Sequence, residues 1–409
     1  AYEMCGRDWS SDVCSSDLMS IKDWFNSEPV RQFRSALMSD QKHSACDNCY
    51  AEEHFGGNSR RTKGLQKSVI FQRQAFDQSY LQSPGYHNFL YSEQNNGHTL
   101  THPIDLHVDL GNYCNLACKM CNPEASSTIA SQEVRWGIET SRPYTGQDWT
   151  KHSQTWNRFL QELLDIPKLQ NIHFMGGETL LTPRFEQLVD HFLAQNRRDV
   201  CFSFVTNGTV FNPSLLEKLS EFKRVGIEVS IETVDQHNDY IRQGTDTQQV
   251  LQNIDRYLLY ANNTSITVAL RPAPSALSVG YYNGLLTYAL EKQLIVKSNL
   301  CTKPEFLHPQ ILPSDVKAFY IDRYYRLFQY LSDVETDGDY NASDPNNYKK
   351  TIREEAKMVL NLLQTPIPSD VHQRWSQLVA HCKKWDAIYK FDARTLYPEL
   401  AEIWDRYGY

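Results

Sequence analysis

The stretch Cys114-Asn-Leu-Ala-Cys118-Lys-Met-Cys121 decides how this 409-residue chain is interpreted. Its three cysteines are separated by three and two residues, a spacing at which three thiolates can hold three irons of an iron–sulfur cube. Such clusters are usually held by four cysteines. No fourth cysteine follows nearby, so one iron would stay open to bind another molecule. A zinc loop and three reduced structural thiols are the alternatives.

Around this stretch, short runs of β-branched and aromatic residues alternate with longer helical patterns. This alternation predicts an α/β fold with a parallel sheet. Six such repeats resemble the incomplete (β/α)6 barrel of radical S-adenosylmethionine proteins, a partial TIM-type barrel in which chemistry is expected at the carboxyl ends of the strands. The predicted strands are 104–110, 170–175, 200–206, 226–232, 265–270 and 293–298. The predicted helices are near 126–140, 152–165, 183–195, 213–223, 248–261 and 278–291.

The CxxxCxxC spacing resembles the signature of the radical S-adenosylmethionine (SAM) superfamily. The run Gly176-Gly177-Glu178 after the second strand is similar to the GGE element of that superfamily, and Thr206-Asn207-Gly208 is similar to its TNG element. The resemblance implies a [4Fe–4S] cluster on Cys114, Cys118 and Cys121 whose open iron binds SAM. It further implies reductive cleavage of SAM to a 5′-deoxyadenosyl radical, which abstracts a hydrogen atom from the substrate.

Other residues are candidates for binding SAM, although each could equally be an ordinary barrel or turn residue. By resemblance, Gly176, Gly177 and Glu178 receive the amino group of SAM, and Met120 lies near its adenine. Two glycines permit close backbone approach, and a carboxylate accepts hydrogen bonds from an ammonium. Residues two apart in a strand share a face, which would direct Ser230 and Glu232 at SAM. Asn207 and Arg271 complete this set, Arg271 as a guanidinium that could meet a carboxylate.

A second cysteine pair precedes the barrel. Residues 23–34 are predicted to form one amphipathic helix, and Cys46-Asp-Asn-Cys49 with the residues up to Arg61 follows. This segment resembles the auxiliary-cluster segment of SPASM and twitch radical SAM proteins, although theirs usually follows the barrel. Two thiols are an incomplete ligand set, so an auxiliary iron–sulfur cluster, a zinc site and no metal all remain open. The candidate further ligands are Cys301, Cys382, His43, His54 and His308.

These features divide the chain into four predicted parts. Residues 1–18 resemble a translated sequencing adaptor and are interpreted as a non-native leader. Residues 19–98 are the twitch-like cysteine segment and 99–300 the radical SAM partial barrel. Residues 301–409 are predicted to be a helical C-terminal region.

Composition limits the function classes. Charged residues make up 22% and hydrophobic residues 41%, as in globular proteins. A net charge of −8 argues against a nucleic-acid partner, and no apolar run is long enough to span a membrane. Closely spaced thiols without an export signal favour the cytoplasm.

The resemblance also bears on the partners. It implies a peptide or protein substrate and a reductant such as ferredoxin or flavodoxin. The alternatives are a radical SAM enzyme acting on a small metabolite or nucleotide, and a non-catalytic zinc- or iron-binding scaffold.

Overall fold

The computed structural model describes residues 19–39, 41–56, 59, 61–62, 84–137, 149–331 and 347–409. The predicted leader, residues 1–18, lies outside the described residues. Within the described residues, no helix combines the length and the apolar character needed to cross a membrane.

A six-stranded parallel sheet forms the centre of the molecule. The described strands are β1 (Asp105–Asp109), β2 (Ala117–Cys118), β3 (Asn171–Met175), β4 (Cys201–Thr206), β5 (Arg224–Val229), β6 (Arg242–Gln243), β7 (Ile266–Leu270) and β8 (Ile295–Val296). The sheet order is β1-β3-β4-β5-β7-β8, while β2 and β6 pair separately as a short antiparallel ribbon. Each sheet strand lies beside the next one along the chain, as in a barrel that has not closed, which confirms the predicted fold class.

Helices cover the outer face of this sheet and form the parts of the described chain before β1 and after β8. They are α1 (Ile21–Phe25), α2 (Glu28–Met38), α3 (Asp47–His54), α4 (Pro84–Gln94), α5 (Ser127–Arg135), α6 (Ser153–Leu164), α7 (Pro183–Ala194), α8 (Pro213–Ser220), α9 (Gln236–Ile241), α10 (Thr247–Ala261), α11 (Tyr282–Glu291), α12 (Ser314–Leu331), α13 (Asn347–Leu363), α14 (Val371–Tyr389), α15 (Ala393–Leu396) and α16 (Ala401–Arg406). Asn and Asp side chains cap several of them, as Asn212 does when it accepts a hydrogen bond from the Leu215 amide.

The two faces of the sheet differ in polarity because side chains alternate along each strand. The helix-facing positions are apolar, and Phe174 and Phe204 are fully buried there, each contributing roughly 1.5–3 kcal/mol. The opposite, concave face is polar. His107, His173 and Ser203 stand side by side in register on β1, β3 and β4. His173 Nδ1 and Ser203 Oγ are 2.7 Å apart.

Some predicted element boundaries are wrong. The predicted helix 23–34 is two helices, α1 and α2, because Pro29 lacks an N–H and cannot stand inside a continuous helix. At the break, Asn26 Nδ2 donates a hydrogen bond to the Thr99 carbonyl at 3.0 Å, and the Thr99 amide donates one to Asn26 Oδ1 at 2.9 Å. The strand predicted at 226–232 ends at Val229, and the strand predicted at 293–298 comprises Ile295–Val296.

Candidate active site

The three cysteines of the central motif lie on the segment between β1 and α5, at the carboxyl edge of the sheet. Cys114 is partly buried, Cys118 is buried and Cys121 is exposed. Cys118 belongs to β2 and is paired in register with Arg242 of β6. We call residues 111–126 the cysteine loop.

The N-terminus of α5 anchors the cysteine loop through hydroxyl groups. Ser126 Oγ donates to the Leu116 carbonyl at 2.7 Å, and Thr128 Oγ1 donates to the Cys114 carbonyl at 2.7 Å. The Ser127 amide donates to the Asn112 carbonyl at 2.6 Å. A helix end has amides and hydroxyls free to bond a neighbouring segment. The loop is thereby fixed on the side that faces α5.

Gly176 and Gly177 hold the opposite side of the cysteine loop. The Gly177 amide donates to the Gly111 carbonyl, and the Glu178 amide donates to the Tyr113 carbonyl, both at 2.7 Å. A Cβ on Gly177 would lie 2.2 Å from the Tyr113 carbonyl oxygen, and Gly176 has a φ of +112°. Both positions require glycine because the cysteine loop passes directly over them.

The Glu178 carboxylate is buried and is bonded by its own chain. It accepts hydrogen bonds from the Thr206 hydroxyl at 2.7 Å, the Asn207 amide at 2.6 Å and the Leu180 amide at 3.1 Å. Burial raises the pKa of Glu178, while these donors lower it. Glu178 therefore ties the end of β4 to the turn after β3. Reception of the SAM amino group, expected from the sequence, stays a prediction.

Asn207 connects the end of β4 with the first cysteine. Its Nδ2 lies 4.0 Å from Cys114 Sγ and donates to Asn115 Oδ1 at 2.8 Å. The Leu116 amide also points at Cys114 Sγ, at 3.5 Å. The GGE, TNG and cysteine motifs thus meet at one edge, as their positions after parallel strands predict.

Arg242 is a site residue that sequence reasoning missed. Its Nη1 lies 3.5 Å from Cys118 Sγ, and its Nε donates to Glu232 Oε1 at 3.0 Å. Glu232 is fully buried and also accepts from the Ala273 amide. The carboxylate predicted to face SAM therefore holds a guanidinium against Cys118. A lone arginine after a short helix carries no sequence signal for this contact.

The other predicted SAM-binding residues are spread along the same edge. Ser230 is buried just past the end of β5, and Met120 is partly buried against the main core. Arg271 Nη1 donates to Glu228 Oε2, and Lys297 Nζ donates to Glu228 Oε1 at 2.8 Å. The carboxylate that Arg271 meets is thus one of its own chain. These two cations hold the pKa of Glu228 far below its usual range despite its burial.

Cys114 and Cys118 have polar neighbours suited to thiolate ligands of a metal cluster, although the three thiols of the cysteine loop do not converge in this structure. Burial raises the pKa of Cys114 to about 11 and that of Cys118 further, so both are neutral thiols before they bind metal. Cluster binding would release their protons. Arg242 and Asn207 already direct N–H groups at two of the sulfurs. Within the described residues, no three His, Cys, Asp or Glu side chains converge as a metal-binding group.

The N-terminal cysteine pair also has polar neighbours: the Arg61 amide and the Ser59 hydroxyl at Cys49, and the Tyr50 hydroxyl at Cys46. Cys46 is buried at the N-cap of α3, and Cys49 is partly buried one turn later. Burial raises the pKa of both thiols. Near them, Glu53 accepts hydrogen bonds from Arg61 and Ser59. The pair stays a predicted metal site, with its remaining ligands unassigned.

The residues considered as further ligands each have contacts of their own. Cys382 is fully buried on α14, and Cys301 Sγ lies 3.5 Å from the Lys303 carbonyl. The rings of His54 and His308 lie 5.0 and 5.9 Å from the ring of Phe55. His43 Nδ1 accepts from the Ala45 amide at 3.2 Å.

Part of this chain is similar to known proteins. A family model described as the radical SAM superfamily matches residues 108–272. The radical SAM cyclopropyl synthase TigE of Paramaledivibacter caminithermalis is 21% identical over 176 residues, which cover 42% of this chain and 36% of TigE. The matched part therefore spans about a third of that relative's length.

Solved structures give similar partial matches. The structure of anSMEcpe with bound AdoMet is 18% identical, with a TM-score of 0.42, over 56% of this chain and 61% of that chain. Streptococcus suis SuiB bound to precursor peptide SuiA is 14% identical, with a TM-score of 0.38, over 66% of this chain and 58% of SuiB. From the family match, residues 108–272 of this chain are a radical SAM superfamily domain, the domain of a superfamily of enzymes.

Proposed function

We propose that this chain is a radical SAM enzyme that modifies a peptide or protein substrate. Cys114, Cys118 and Cys121 would hold a [4Fe–4S] cluster. When bound, this cluster supplies the electron that cleaves SAM into methionine and a 5′-deoxyadenosyl radical. The protein itself binds and orients SAM and the substrate, and it excludes water from the site.

One observation carries this proposal. The segments that follow β1, β3, β4 and β5 meet around Cys114 and Cys118, with Asn207 Nδ2 4.0 Å from one sulfur and Arg242 Nη1 3.5 Å from the other. A structural thiol in a core has apolar neighbours, whereas these sulfurs face a guanidinium and an amide. N–H groups directed at sulfur stabilise the thiolate form that a metal requires.

The polar edge of the barrel would orient SAM. Ser230 and Asn207 offer hydroxyl and amide groups there, and Met120 offers an apolar contact for the adenine. The Arg271–Glu228–Lys297 group carries one net positive charge, because two cations share one carboxylate. That charge suits the SAM carboxylate. Gly176, Gly177 and Glu178 would complete the cradle beside the amino group.

The choice of substrate class rests on the N-terminal segment. Its Cys46 and Cys49 resemble the auxiliary-cluster segment of twitch and SPASM proteins, and by family analogy this resemblance suggests a peptide or protein substrate. The support is therefore a motif resemblance over residues 46–61. An auxiliary iron–sulfur cluster at this pair is part of the proposal, with zinc as the competing occupant.

The test is anaerobic reconstitution with iron and sulfide, followed by reduction with dithionite in the presence of SAM. We expect reductive formation of 5′-deoxyadenosine, measured by mass spectrometry. Deuterium from a labelled peptide should appear in that product. Transfer from small metabolites alone would replace the peptide proposal. Zinc content without SAM cleavage would establish a non-catalytic scaffold instead.

A further inference from the structure

Lys119 stands inside the cysteine motif, next to Cys118, and is buried. Only 1% of its surface is exposed. Its Nζ lies 3.2 Å from Oδ1 of Asp386 on α14, a residue 267 positions further along the chain. A lysine is almost never fully buried without a partner. The ion pair therefore joins the cysteine loop to the C-terminal region.

Asp386 is satisfied by several further donors. Its Oδ2 accepts hydrogen bonds from the Tyr240 hydroxyl at 3.2 Å, the Ala393 amide at 3.1 Å and the Tyr409 hydroxyl. Lys119 Nζ also lies 4.0 Å from the centre of the Tyr240 ring, a cation–π contact. A buried ion pair is stable only when such additional bonds offset its desolvation.

The same helix contacts the backbone of the cysteine loop. His381 Nε2 is 3.1 Å from the Lys119 carbonyl, and the buried Trp385 belongs to one apolar cluster with Ala117 and Ile129. On the other side, the Lys119 amide donates to the Ile241 carbonyl at 2.8 Å. Residues on both sides of Cys118 are thus held by α14 and by the end of α9.

We propose that Lys119 and Asp386 are a positioning pair for Cys118 and Cys121, through which the C-terminal region fixes the cysteine loop. The pair also places two opposite fixed charges beside the motif. An apolar pair of similar volume would pack at this position without desolvating any charge, so stability alone does not account for an ion pair there. Fixed charges near a redox centre bias its reduction, and this second effect rests on the proposed function.

The positioning effect can be measured in the protein as isolated, by hydrogen–deuterium exchange. Asp386→Asn should speed exchange of the 117–121 amides by about tenfold or more, while β3, β4 and β5 stay unchanged. Lys119→Arg should restore most of the protection lost in Lys119→Met. Asp255→Asn is the matched control, because it breaks the exposed Asp255–Lys292 pair. Unchanged exchange of 117–121 in Asp386→Asn and Lys119→Met would overturn the proposal.

The charge effect should shift the midpoint potential in opposite directions in the two single variants, which loosening of the loop would not do. In reconstituted protein, Lys119→Met should lower the midpoint potential and Asp386→Asn should raise it, as followed by electron paramagnetic resonance. The double variant Lys119→Met with Asp386→Asn should return towards wild type while its loop stays loosened. Shifts of the same sign in both single variants, or none, would contradict the charge role. A wild-type protein without SAM cleavage would refute the proposed function but leave the exchange result intact.

Discussion

The cysteine loop and the N-terminal cysteine pair both contain closely spaced thiols, but different parts of the chain hold them in place. The cysteine loop is bonded by α5, by the turn after β3, by Arg242 and by α14. The pair Cys46 and Cys49 lies at the first turn of α3, beside Glu53, Arg61 and Ser59. Similar thiol spacings can therefore belong to a site fixed by distant elements or to a local turn.

The largest effect should come from the cysteine loop itself. Cys118→Ala removes one of three thiolates, so 5′-deoxyadenosine formation should fall to background and the iron–sulfur absorption should be lost. Cys201→Ala is the control, since Cys201 lies at the amino end of β4, away from the site. Retained SAM cleavage in Cys118→Ala would remove the basis of the proposed function.

The second-largest effect should come from Glu178, which supports the cysteine loop. Glu178→Gln replaces one carboxylate oxygen by an NH2 group, which cannot accept the hydrogen bonds that Glu178 receives. The free energy of unfolding should therefore fall by about 3 kcal/mol. The affinity for SAM should fall as well. Glu217→Gln, at an exposed position of α8, should change stability by about 0.5 kcal/mol or less. Equal denaturant midpoints for the two variants would show that Glu178 does not hold the loop.

The stability of the contact between the N-terminal segment and His308 should depend on pH. Burial and the nearby Arg374 and Lys317 lower the pKa of His308 to about 4. An unfolded histidine has a pKa near 6.5. Between these values the folded state binds fewer protons, so stability falls as the pH drops through this window. The loss between pH 6.5 and pH 5 should be about 2 kcal/mol.

His308→Asn should flatten this dependence, since asparagine keeps an acceptor for the Gln310 amide but does not titrate. The ring of His308 contacts Phe55, and Asn361 donates to the Phe55 carbonyl at 3.0 Å. Acidification should therefore loosen α3 before the barrel. Exchange of the α3 amides measured at both pH values checks this, and equal slopes in variant and wild type would contradict it.

The smallest effect should come from the N-terminal cysteines. Cys46→Ser with Cys49→Ser should change the stability of the metal-free protein by about 1 kcal/mol or less. Iron per chain should drop while SAM cleavage without substrate continues. Loss of zinc instead of iron would identify the other occupant. An unchanged metal content would show that the pair holds no metal. The cysteine loop would then differ from the N-terminal pair in metal binding as well as in its contacts.

The sequence predicts the six strands of the sheet because short β-branched and aromatic runs alternate with longer helical patterns. Boundaries were less reliable where one residue overrides the pattern, as Pro29 does by dividing a helix. The motifs at strand ends were predicted to meet, and Asn207 lies beside Cys114. Their contacts were not predicted, since Gly176 and Gly177 turned out to face the cysteine loop.

The sequence by itself determined the fold class and the edge of the sheet at which the three motifs assemble, because periodicity and spacing are local properties. Only the tertiary structure decided which distant residues support the thiols. Arg242 reaches Cys118 across 124 positions and Asp386 reaches Lys119 across 267. A buried charge is stable only beside an opposite charge, here Glu232 for Arg242 and Asp386 for Lys119, and such partners are brought together by packing, which no short segment encodes.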